Sequence, residues 1–336
     1  MSSFKNYLLK ACGVVGFSKP YNFILWFIFA GSLLGFTFAR FQYLHIGTYA
    51  RESAPGEWYY AHAGRDRFGI ILHLATILPC AILVVLQFIP VIRHRWIGFH
   101  RVNGYIILTL FMASNAGALM IMSHAFGGGL DVQTLVVMLV LTCTISVGMA
   151  WYNIRRLQIE QHRAWMLRAM FYMACIITTR LFLVIFAVVI SHAQPPRYGV
   201  WSCEQIRFTY EQRQSSPNLN EALSRAYPIC ASASLGNMSS TFTPVTASLS
   251  ADDVAQNGIA LDLSFGSAAW IAFFLHLVGV EIYLRLTPRE AERLRMVSYE
   301  RQLAAGYKNP GSAGLVVEKW GDAKPWNPEG REEVPF

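Results

Sequence analysis

The chain has 336 residues, of which 54% are hydrophobic and 14% are charged, and its formal net charge is +8. A soluble domain carries about 25% charged residues, so a soluble chain this poor in charge would struggle to cover its surface with polar groups. The basic residues lie beside apolar segments rather than in one patch. This pattern argues against a nucleic-acid partner and predicts contact with membrane lipids.

Six segments are long and apolar enough to cross a bilayer, whose hydrocarbon core of about 30 Å requires about 20 residues of helix. The predicted spans are residues 21–39, 68–92, 102–122, 132–152, 166–190 and 264–286. The predicted fold class is therefore all-α, a polytopic membrane helix bundle with about six transmembrane helices.

Basic residues flank the predicted spans on alternate sides. Lys and Arg occur before the first span, between the second and third, between the fourth and fifth, and after the sixth, whereas the segment between the third and fourth has none. Because basic residues tend to remain on the cytoplasmic side of a membrane, both termini are predicted to be cytoplasmic.

This topology divides the chain into five regions. They are a cytoplasmic N-terminal segment (1–20), a five-helix membrane core (21–192), an outer loop (193–263), a sixth transmembrane helix (264–286), and a cytoplasmic helix with a disordered tail (287–336). Thr287, Pro288 and Glu290 form the pattern of a capping box, which predicts where the cytoplasmic helix begins.

The outer loop carries two signals of a lumenal or extracellular compartment. Cys203 and Cys230 are the loop cysteines on that side, and a disulfide between them fits an oxidising environment. Asn237 begins the sequon Asn-Met-Ser, which predicts N-glycosylation. Together they favour a eukaryotic endomembrane or the plasma membrane.

Polar residues at membrane depth are the first candidates for a functional site, since burying ionisable groups in a bilayer is costly. His73, Asn115 and Arg180 come from three spans and lie about 20–22 Å from the cytoplasmic face. No acidic side chain of the spans shares that depth, so a bound anion such as a carboxylate or propionate is expected beside Arg180. The alternative is that Arg180 bonds main-chain carbonyls and Asn115.

His276 lies near the middle of the sixth span and is either a structural histidine or a ligand. Glu281 follows it, with Arg285 four residues further on, which predicts a local ion pair. The run from Asn115 to Ala118 contains Gly117 and predicts close helix packing.

A histidine–arginine block with a tryptophan occurs twice at the cytoplasmic ends of spans, around His94 and around His162. Arginine and tryptophan there are typical of membrane topology, but histidine is not required by it. The two histidines are therefore candidates to ligate a haem iron, to bind phosphate or lipid headgroups, or to relay protons.

These blocks, together with His73, the Gln87–Phe88 pair, the Gly127–Gly129 run and Arg180, resemble a family of predicted membrane proteins with a domain of unknown function, found in bacteria and fungi. The resemblance spans roughly residues 68–190 and implies a fold rather than an activity. The helical core of that family is similar to the two-haem membrane cytochromes b. This similarity implies haem b, with His73, His94 and His162 as ligands of the iron.

Three functions are compatible with these residues. The first is a membrane redox protein that uses haem b or a quinone and an electron donor. The second is a membrane-embedded enzyme that acts on a lipophilic small molecule such as an isoprenoid or polyketide. The third is a transporter or a non-catalytic scaffold. Paired carboxylates within the membrane would favour the enzyme, but the predicted spans contain only Glu281.

Overall fold

The computed structural model describes residues 10, 12–17, 19–213, 219–232, 236–249 and 252–328. These residues are mostly helical, with one pair of short strands. In chain order the elements are α1 (Pro20–Arg40), α2 (Ile46–Glu52), α3 (Glu57–Ala61), α4 (Gly64–Gln87), α5 (Pro90–Arg95), α6 (Ile97–Ile121), α7 (Leu130–Arg155), α8 (Ile159–Ser191), β1 (Tyr198–Ser202), α9 (Cys203–Arg213), α10 (Leu219–Ala226), α11 (Pro228–Ser232), β2 (Phe242–Thr246), α12 (Val254–Arg285), α13 (Pro288–Ala304) and α14 (Val317–Trp320).

Six of these helices are long and apolar enough to cross a membrane, namely α1, α4, α6, α7, α8 and α12. The predicted all-α fold class with six spans is therefore confirmed. Several boundaries differ from the prediction. α6 begins at Ile97 rather than at residue 102, and α8 begins at Ile159 rather than at residue 166. The second span ends at Gln87, because the residue before Pro90 is driven out of helical geometry and a separate short helix follows. The sixth span begins at Val254, ten residues before the predicted start at residue 264.

The chain forms two compact units. The first comprises residues 1–137 and 177–270, and the second comprises residues 138–176 and 271–336. In the first unit α4 and α6 cross in close contact at two glycines. A Cβ on Gly117 would lie 2.7 Å from the carbonyl oxygen of Gly69, so any side chain there would separate the helices. The predicted close packing at Gly117 is confirmed.

The region between α8 and α12 forms a small core of its own within the first unit. β1 and β2 pair antiparallel, with Tyr198 opposite Thr246 and Ser202 opposite Phe242. The predicted disulfide joins Cys203 of α9 to Cys230 of α11. Buried side chains from these elements and from the start of α12, including Ile206, pack around it.

We call this end of the first unit, where α2, α3, the 125–128 turn and the disulfide-bonded region lie, the loop side. The name refers to the connectivity alone.

The second unit is held together by buried polar side chains at the turn between α7 and α8. Gln158 Oε1 accepts hydrogen bonds of 2.9 Å from Gln302 Nε2 and from the backbone N–H of Gly314. Asn153 Oδ1 accepts one of 2.9 Å from the backbone N–H of Leu315. The tail expected to be disordered therefore packs, over residues 311–315, against α13 and this turn; residues 329–336 lie outside the described part.

Two local predictions about this unit were wrong. The side chain of Thr287 does not cap α13, since its hydroxyl bonds back to the carbonyl of Tyr283 at 3.1 Å. Glu281 does not form the expected ion pair with Arg285 among the described residues, although Arg285 attracts it. It forms a bidentate ion pair with Arg168 of α8, at 2.6 Å and 3.0 Å. In both cases a partner outside the sequence motif offered a better hydrogen-bonding geometry.

Candidate functional site

Two carboxylates from distant parts of the sequence lie close together on the loop side. Glu57 begins α3, and its Oε1 accepts a hydrogen bond of 2.6 Å from the backbone N–H of Phe126. Asp262 lies in α12, and its Oδ2 accepts a hydrogen bond of 3.2 Å from Trp201 Nε1. The two carboxyl groups are near enough for their negative charges to repel each other. We call Glu57 and Asp262 the carboxylate pair.

A tight turn after α6 brings Phe126 to the carboxylate pair. Phe126, Gly127 and Gly128 have positive φ angles of 48°, 76° and 59°. A left-handed backbone is costly for phenylalanine but not for glycine. The two glycines that follow Phe126 therefore allow the chain to adopt this turn. A Cβ on Gly127 would lie 3.1 Å from the Cβ of Asp262. The turn therefore covers the carboxylate pair closely.

Trp201 reaches Asp262 through space that two glycines leave open. A side chain on Gly258 of α12 would collide with the Trp201 ring, and a Cβ on Gly56 would lie 2.6 Å from it. Gly56 also has a φ of +90°, which favours glycine independently. The disulfide-bonded region thus supplies an indole N–H to the carboxylate pair.

Arg180 of α8 lies beside two stacked phenylalanines and the carboxylate pair. The ring centroids of Phe126 and Phe265 are 3.9 Å apart, and the guanidinium lies 5.3 Å and 5.7 Å from them. Glu57 attracts Arg180 electrostatically. Glu57 belongs to a short helix outside the six spans, so the comparison of depths among the spans did not include it.

Arg180 retains capacity to bind a further group. Its Nε is buried and has no hydrogen-bond partner among the described residues, and the same holds for Nδ2 of Asn115. A buried guanidinium N–H without an acceptor is unfavourable. The anion predicted beside Arg180 therefore remains a prediction that the site geometry supports.

The electrostatic environment of Glu57 makes its proton exchangeable near neutral pH. Removal from water raises the pKa of this carboxyl group to about 7, against the opposing effects of the Phe126 N–H and of Arg180. A low-dielectric surrounding disfavours the charged form of a carboxyl group. Glu57 is thus able both to donate and to accept a proton at physiological pH.

A second polar group lies nearby on the loop side. His124 Nδ1 is 2.7 Å from Asp66 Oδ2, and the His124 ring stacks on Tyr60 with centroids 4.3 Å apart. Tyr60 interacts electrostatically with both members of the carboxylate pair, and its pKa is raised chiefly by burial. The turn that covers the carboxylate pair is therefore also held by ionisable side chains.

The predicted site residue His73 lies in α4, where it is tied to α6. Its Nδ1 is 3.1 Å from the carbonyl oxygen of Ser114 and 2.9 Å from Ser114 Oγ. A carbonyl accepts hydrogen bonds only, so Nδ1 carries the proton in the neutral ring and Nε2 carries the lone pair. His73 is both a link between helices and a possible ligand or base at Nε2.

The other predicted histidines fall in different parts of the chain. His94 lies in α5 of the first unit and is exposed. His162 and His276 lie in the second unit, where their Nδ1 atoms bond the carbonyl oxygens of Ala150 at 2.9 Å and of Phe171 at 2.8 Å. Both arrangements leave Nε2 as the atom with the lone pair, as is common for metal-bound histidine.

A haem held by two histidines needs both at one level of a bundle. In the second unit His276 bonds Phe171, which is nine residues after His162 and thus about 14 Å further along α8. In the first unit His124 bonds Asp66, which is about 10 Å from His73 along α4.

At the other end of α4, His100 contacts Gln87, about 21 Å from His73 along the helix. The remaining histidines of this unit near the loop side, His45, His62 and His192, lie outside the helices. The described residues contain no group of three or more metal-ligating side chains. Along these helices, the hydrogen bonds described place no second histidine level with His73 or with His162 within its own unit, and the haem stays a prediction.

The predicted glycosylation site is accessible. Asn237 is exposed, and its main-chain carbonyl accepts a hydrogen bond of 3.0 Å from the N–H of Thr241. The glycan itself remains a prediction.

Sequence reasoning missed the carboxylate pair. Asp262 had one available signal, since it is a single acid within the apolar run from Gly258 to Phe265. Glu57 had none, because it lies in a polar segment between spans. Only the folded chain brings the two residues together.

Comparison with known proteins agrees with a membrane protein. Residues 70–204 match the family described as Predicted membrane protein (DUF2306), which supports the resemblance seen in the sequence. The chain is also 24% identical over 319 residues to Ava biosynthesis cluster protein G of Aspergillus versicolor, and the match covers 80% of this chain and 90% of that protein. No solved structure matches the chain. The matched family region includes Arg180 and Trp201 but neither Glu57 nor Asp262.

Proposed function

We propose that this protein is a membrane-embedded enzyme that transfers protons to or from a lipophilic substrate, with Glu57 and Asp262 as its acid–base pair. The observation that carries the proposal is the meeting of these two carboxyl groups in one partly buried site, with the pKa of Glu57 raised to about 7. Two neighbouring carboxyl groups that cannot both ionise easily are a common basis for acid and base roles.

The surroundings of the carboxylate pair suit a lipophilic substrate. Phe126 and Phe265 provide an apolar wall, and Arg180 lies against it. Arg180 favours the ionised form of Glu57, whereas burial favours the neutral form. A substrate that changes the access of water would shift this balance and move a proton.

The similarity to Ava biosynthesis cluster protein G, which is named as part of a biosynthesis cluster, supports a biosynthetic role. We extend this role to the present chain because the match covers most of both sequences. The long helices end beside the site. The substrate would therefore reach the site from the bilayer.

The test compares metabolites in a host that lacks the native gene and carries one variant at a time. Glu57→Gln and Asp262→Asn should each abolish a lipophilic product and cause its precursor to accumulate, because an amide cannot exchange a proton as a carboxyl group does. Glu221→Gln is the matched control, since Glu221 is exposed and its ion pair among the described residues is with Arg225 in the next turn. An unchanged product level in both Glu57→Gln and Asp262→Asn would refute the proposal that the protein is an enzyme with this acid–base pair.

A second candidate is a redox protein with a quinone or a haem b held by one histidine. The observation in its favour is the Nε2 lone pair of His73, which lies in the same unit as Arg180 and Asn115. The purified protein should then show an absorbance band that shifts on reduction with dithionite and is lost in His73→Ala. If the protein is colourless and carries no extractable quinone after haem-supplemented expression, the redox candidate is refuted. The membrane enzyme would then be the remaining proposal.

We further propose that the loop side faces the lumen or the cell exterior and that both termini are cytoplasmic. The basic residues around His94 and His162 and the sequon at Asn237 support this orientation.

A further inference from the structure

The two strands of the disulfide-bonded region have one buried face and one exposed face. On the buried face, Trp201 and Val245 belong to the small core of that region. On the other face, the side chains of Tyr198, Val200 and Phe242 are 57%, 64% and 59% exposed. Alternate residues of a strand point to opposite sides, so these three side chains share the outer face. We call β1 and β2 together the ribbon.

The outer face of the ribbon is one continuous apolar patch. Val200 lies opposite Pro244 in the strand register, and Phe242 is two residues from Pro244 on the same strand. Side chains that are opposite or diagonal across a strand pair lie within reach of each other. An antiparallel ribbon whose outer face met water would carry polar residues there. The composition of this face therefore favours an apolar partner.

The helices of the same region expose charged residues instead. Glu211 of α9 is exposed, and so are Glu221 and Arg225 of α10. The sequence of the ribbon contains no charged residue. The disulfide-bonded region is thus amphipathic, with its charged residues on the helices and its apolar surface on the ribbon.

The ribbon packs against the side of α12 just outside the predicted hydrocarbon core. A Cβ on Gly199 would lie 2.5 Å from Cδ1 of Ile259, and the Trp201 indole bonds Asp262. Ile259 and Asp262 precede the predicted start of the apolar span at residue 264 by about 3–8 Å of helix. The headgroup layer adds about 5–8 Å to each side of the core. The ribbon therefore lies at the level expected for lipid headgroups.

The end of α8 connects the ribbon to the lipid-facing surface of the helices. Val188 and Val189 are exposed apolar residues in the last turn of α8, and such side chains of a spanning helix face lipid. Ser191 Oγ, at the end of this helix, accepts a hydrogen bond of 2.9 Å from the backbone N–H of Leu249. Leu249 follows β2 and is itself exposed. The apolar surface thus continues from α8 towards the ribbon, all within the first unit.

We infer that the outer face of the ribbon inserts into the interfacial layer of the bilayer, where it contacts lipid headgroups and the first carbons of the acyl chains. Tyrosine is enriched at this level of membrane proteins, which suits Tyr198. Arg197 precedes it and is exposed, so its guanidinium can extend to lipid phosphates.

This placement gives the two faces of the ribbon different environments. The outer face contacts lipid, and the inner face presents Trp201 to Asp262. The carboxylate pair then lies level with the headgroups rather than in the aqueous phase. The inference rests neither on the proposed function nor on which side of the membrane the loop side faces.

Spin labels on the ribbon test the inference in the full chain, reconstituted in nanodiscs of phosphatidylcholine. Val200→Cys and Phe242→Cys are each labelled with a nitroxide, and collisions are measured with oxygen, which concentrates in the bilayer, and with a nickel chelate, which stays in water. The native cysteines interfere little, because Cys203 and Cys230 form the disulfide and the free cysteines of the described residues are buried.

Two matched positions calibrate the measurement. Leu181→Cys is the lipid-facing control on α8, where the native side chain is exposed. Glu211→Cys is the water-facing control on α9 of the same small core. Both ribbon labels should give a ratio of oxygen to nickel-chelate collisions several-fold higher than that at Glu211→Cys and below that at Leu181→Cys. Ribbon labels with the same ratio as Glu211→Cys would show that the ribbon faces water and would overturn the inference.

A second measurement uses the unmodified chain, so it does not depend on the folding of any variant. Phosphatidylcholine with a diazirine near its headgroup should cross-link on illumination to residues 198–202 or 242–246, as mapped by mass spectrometry. Cross-links confined to the six long helices would contradict the lipid contact. Spin–spin broadening at Val200→Cys that disappears on dilution with unlabelled chain would assign the face to a second copy of the chain and would likewise overturn the inference.

Discussion

The side chain that most affects the interpretation of this molecule is Glu57. Its carboxyl group accepts a short hydrogen bond from the Phe126 N–H, yet burial raises its pKa to about 7. Phe126 is distant from Glu57 in the sequence. Its acid–base character is therefore a property of the folded chain.

The raised pKa of Glu57 predicts a pH-dependent stability. A carboxyl group whose folded-state pKa exceeds its unfolded value stabilises the fold fully below the unfolded pKa of about 4.3, and this contribution is lost as the pH rises through about 7. The loss should be about 2 kcal/mol, less than the full linkage value because Glu57 is only partly buried. Thermal unfolding of the detergent-solubilised protein between about pH 5 and about pH 8 measures it.

Glu57→Gln is the decisive comparison for that experiment. The variant keeps the shape of the side chain but cannot ionise, so its midpoint should vary less with pH than that of the wild type. Parallel pH profiles for the two proteins would show that Glu57 does not titrate in this range.

Among the elements, α12 contributes most to the site. Its start at Val254 places Gly258, Asp262 and Phe265 on one continuous helix. A helix of 32 residues is about 48 Å long, so it exceeds the hydrocarbon core of about 30 Å. The additional turns on the loop side are the ones that carry the site.

Substitution by alanine should affect stability differently at two glycines of α12, because only Gly258 contacts Trp201. Gly258→Ala should destabilise the protein by about 1–3 kcal/mol, because its Cβ collides with the buried Trp201 ring. Gly279→Ala, on the same helix, meets no atom within 4 Å and should be neutral or stabilise by up to about 1 kcal/mol. Thermal unfolding midpoints measured under one set of conditions test both.

Gly258→Ala should also displace the indole from Asp262, which intrinsic tryptophan fluorescence would detect. Equal midpoints for the two variants would mean that Trp201 can move away without cost.

Local motifs predicted where elements begin better than they predicted the contacts made there. α13 begins at Pro288 as expected, yet Thr287 bonds the preceding turn rather than capping the helix. Glu281 likewise pairs with Arg168 of another helix. A motif describes what a side chain can reach within one turn, whereas packing decides which of several partners is nearest.

For the whole molecule, the proposed orientation in the membrane rests on the distribution of charge, and the sequence contains one N-glycosylation sequon, at Asn237. Expression in a eukaryotic host should give a band that moves on treatment with an N-glycosidase, and Asn237→Gln should abolish that shift. Ser239→Thr preserves the sequon and is the control. An unglycosylated wild type with residues 236–249 cleaved by protease from the cytoplasmic side would reverse the orientation.

The sequence by itself determined that this is a membrane protein, where its six long helices lie, and which cysteines pair. These properties follow from hydropathy and from the distribution of a few residue types, which are additive along the chain. It also identified Arg180 as a buried charge in need of a partner. The tertiary structure decided what surrounds that charge.

Glu57, Asp262 and Trp201 come from three separate elements, and no spacing in the sequence links them. Their proximity depends on a glycine turn, on a helix that begins before its apolar core, and on an indole that fits only between two glycines. The electrostatics of a site depend on distances in space and on the exclusion of water, and both arise only when the elements pack.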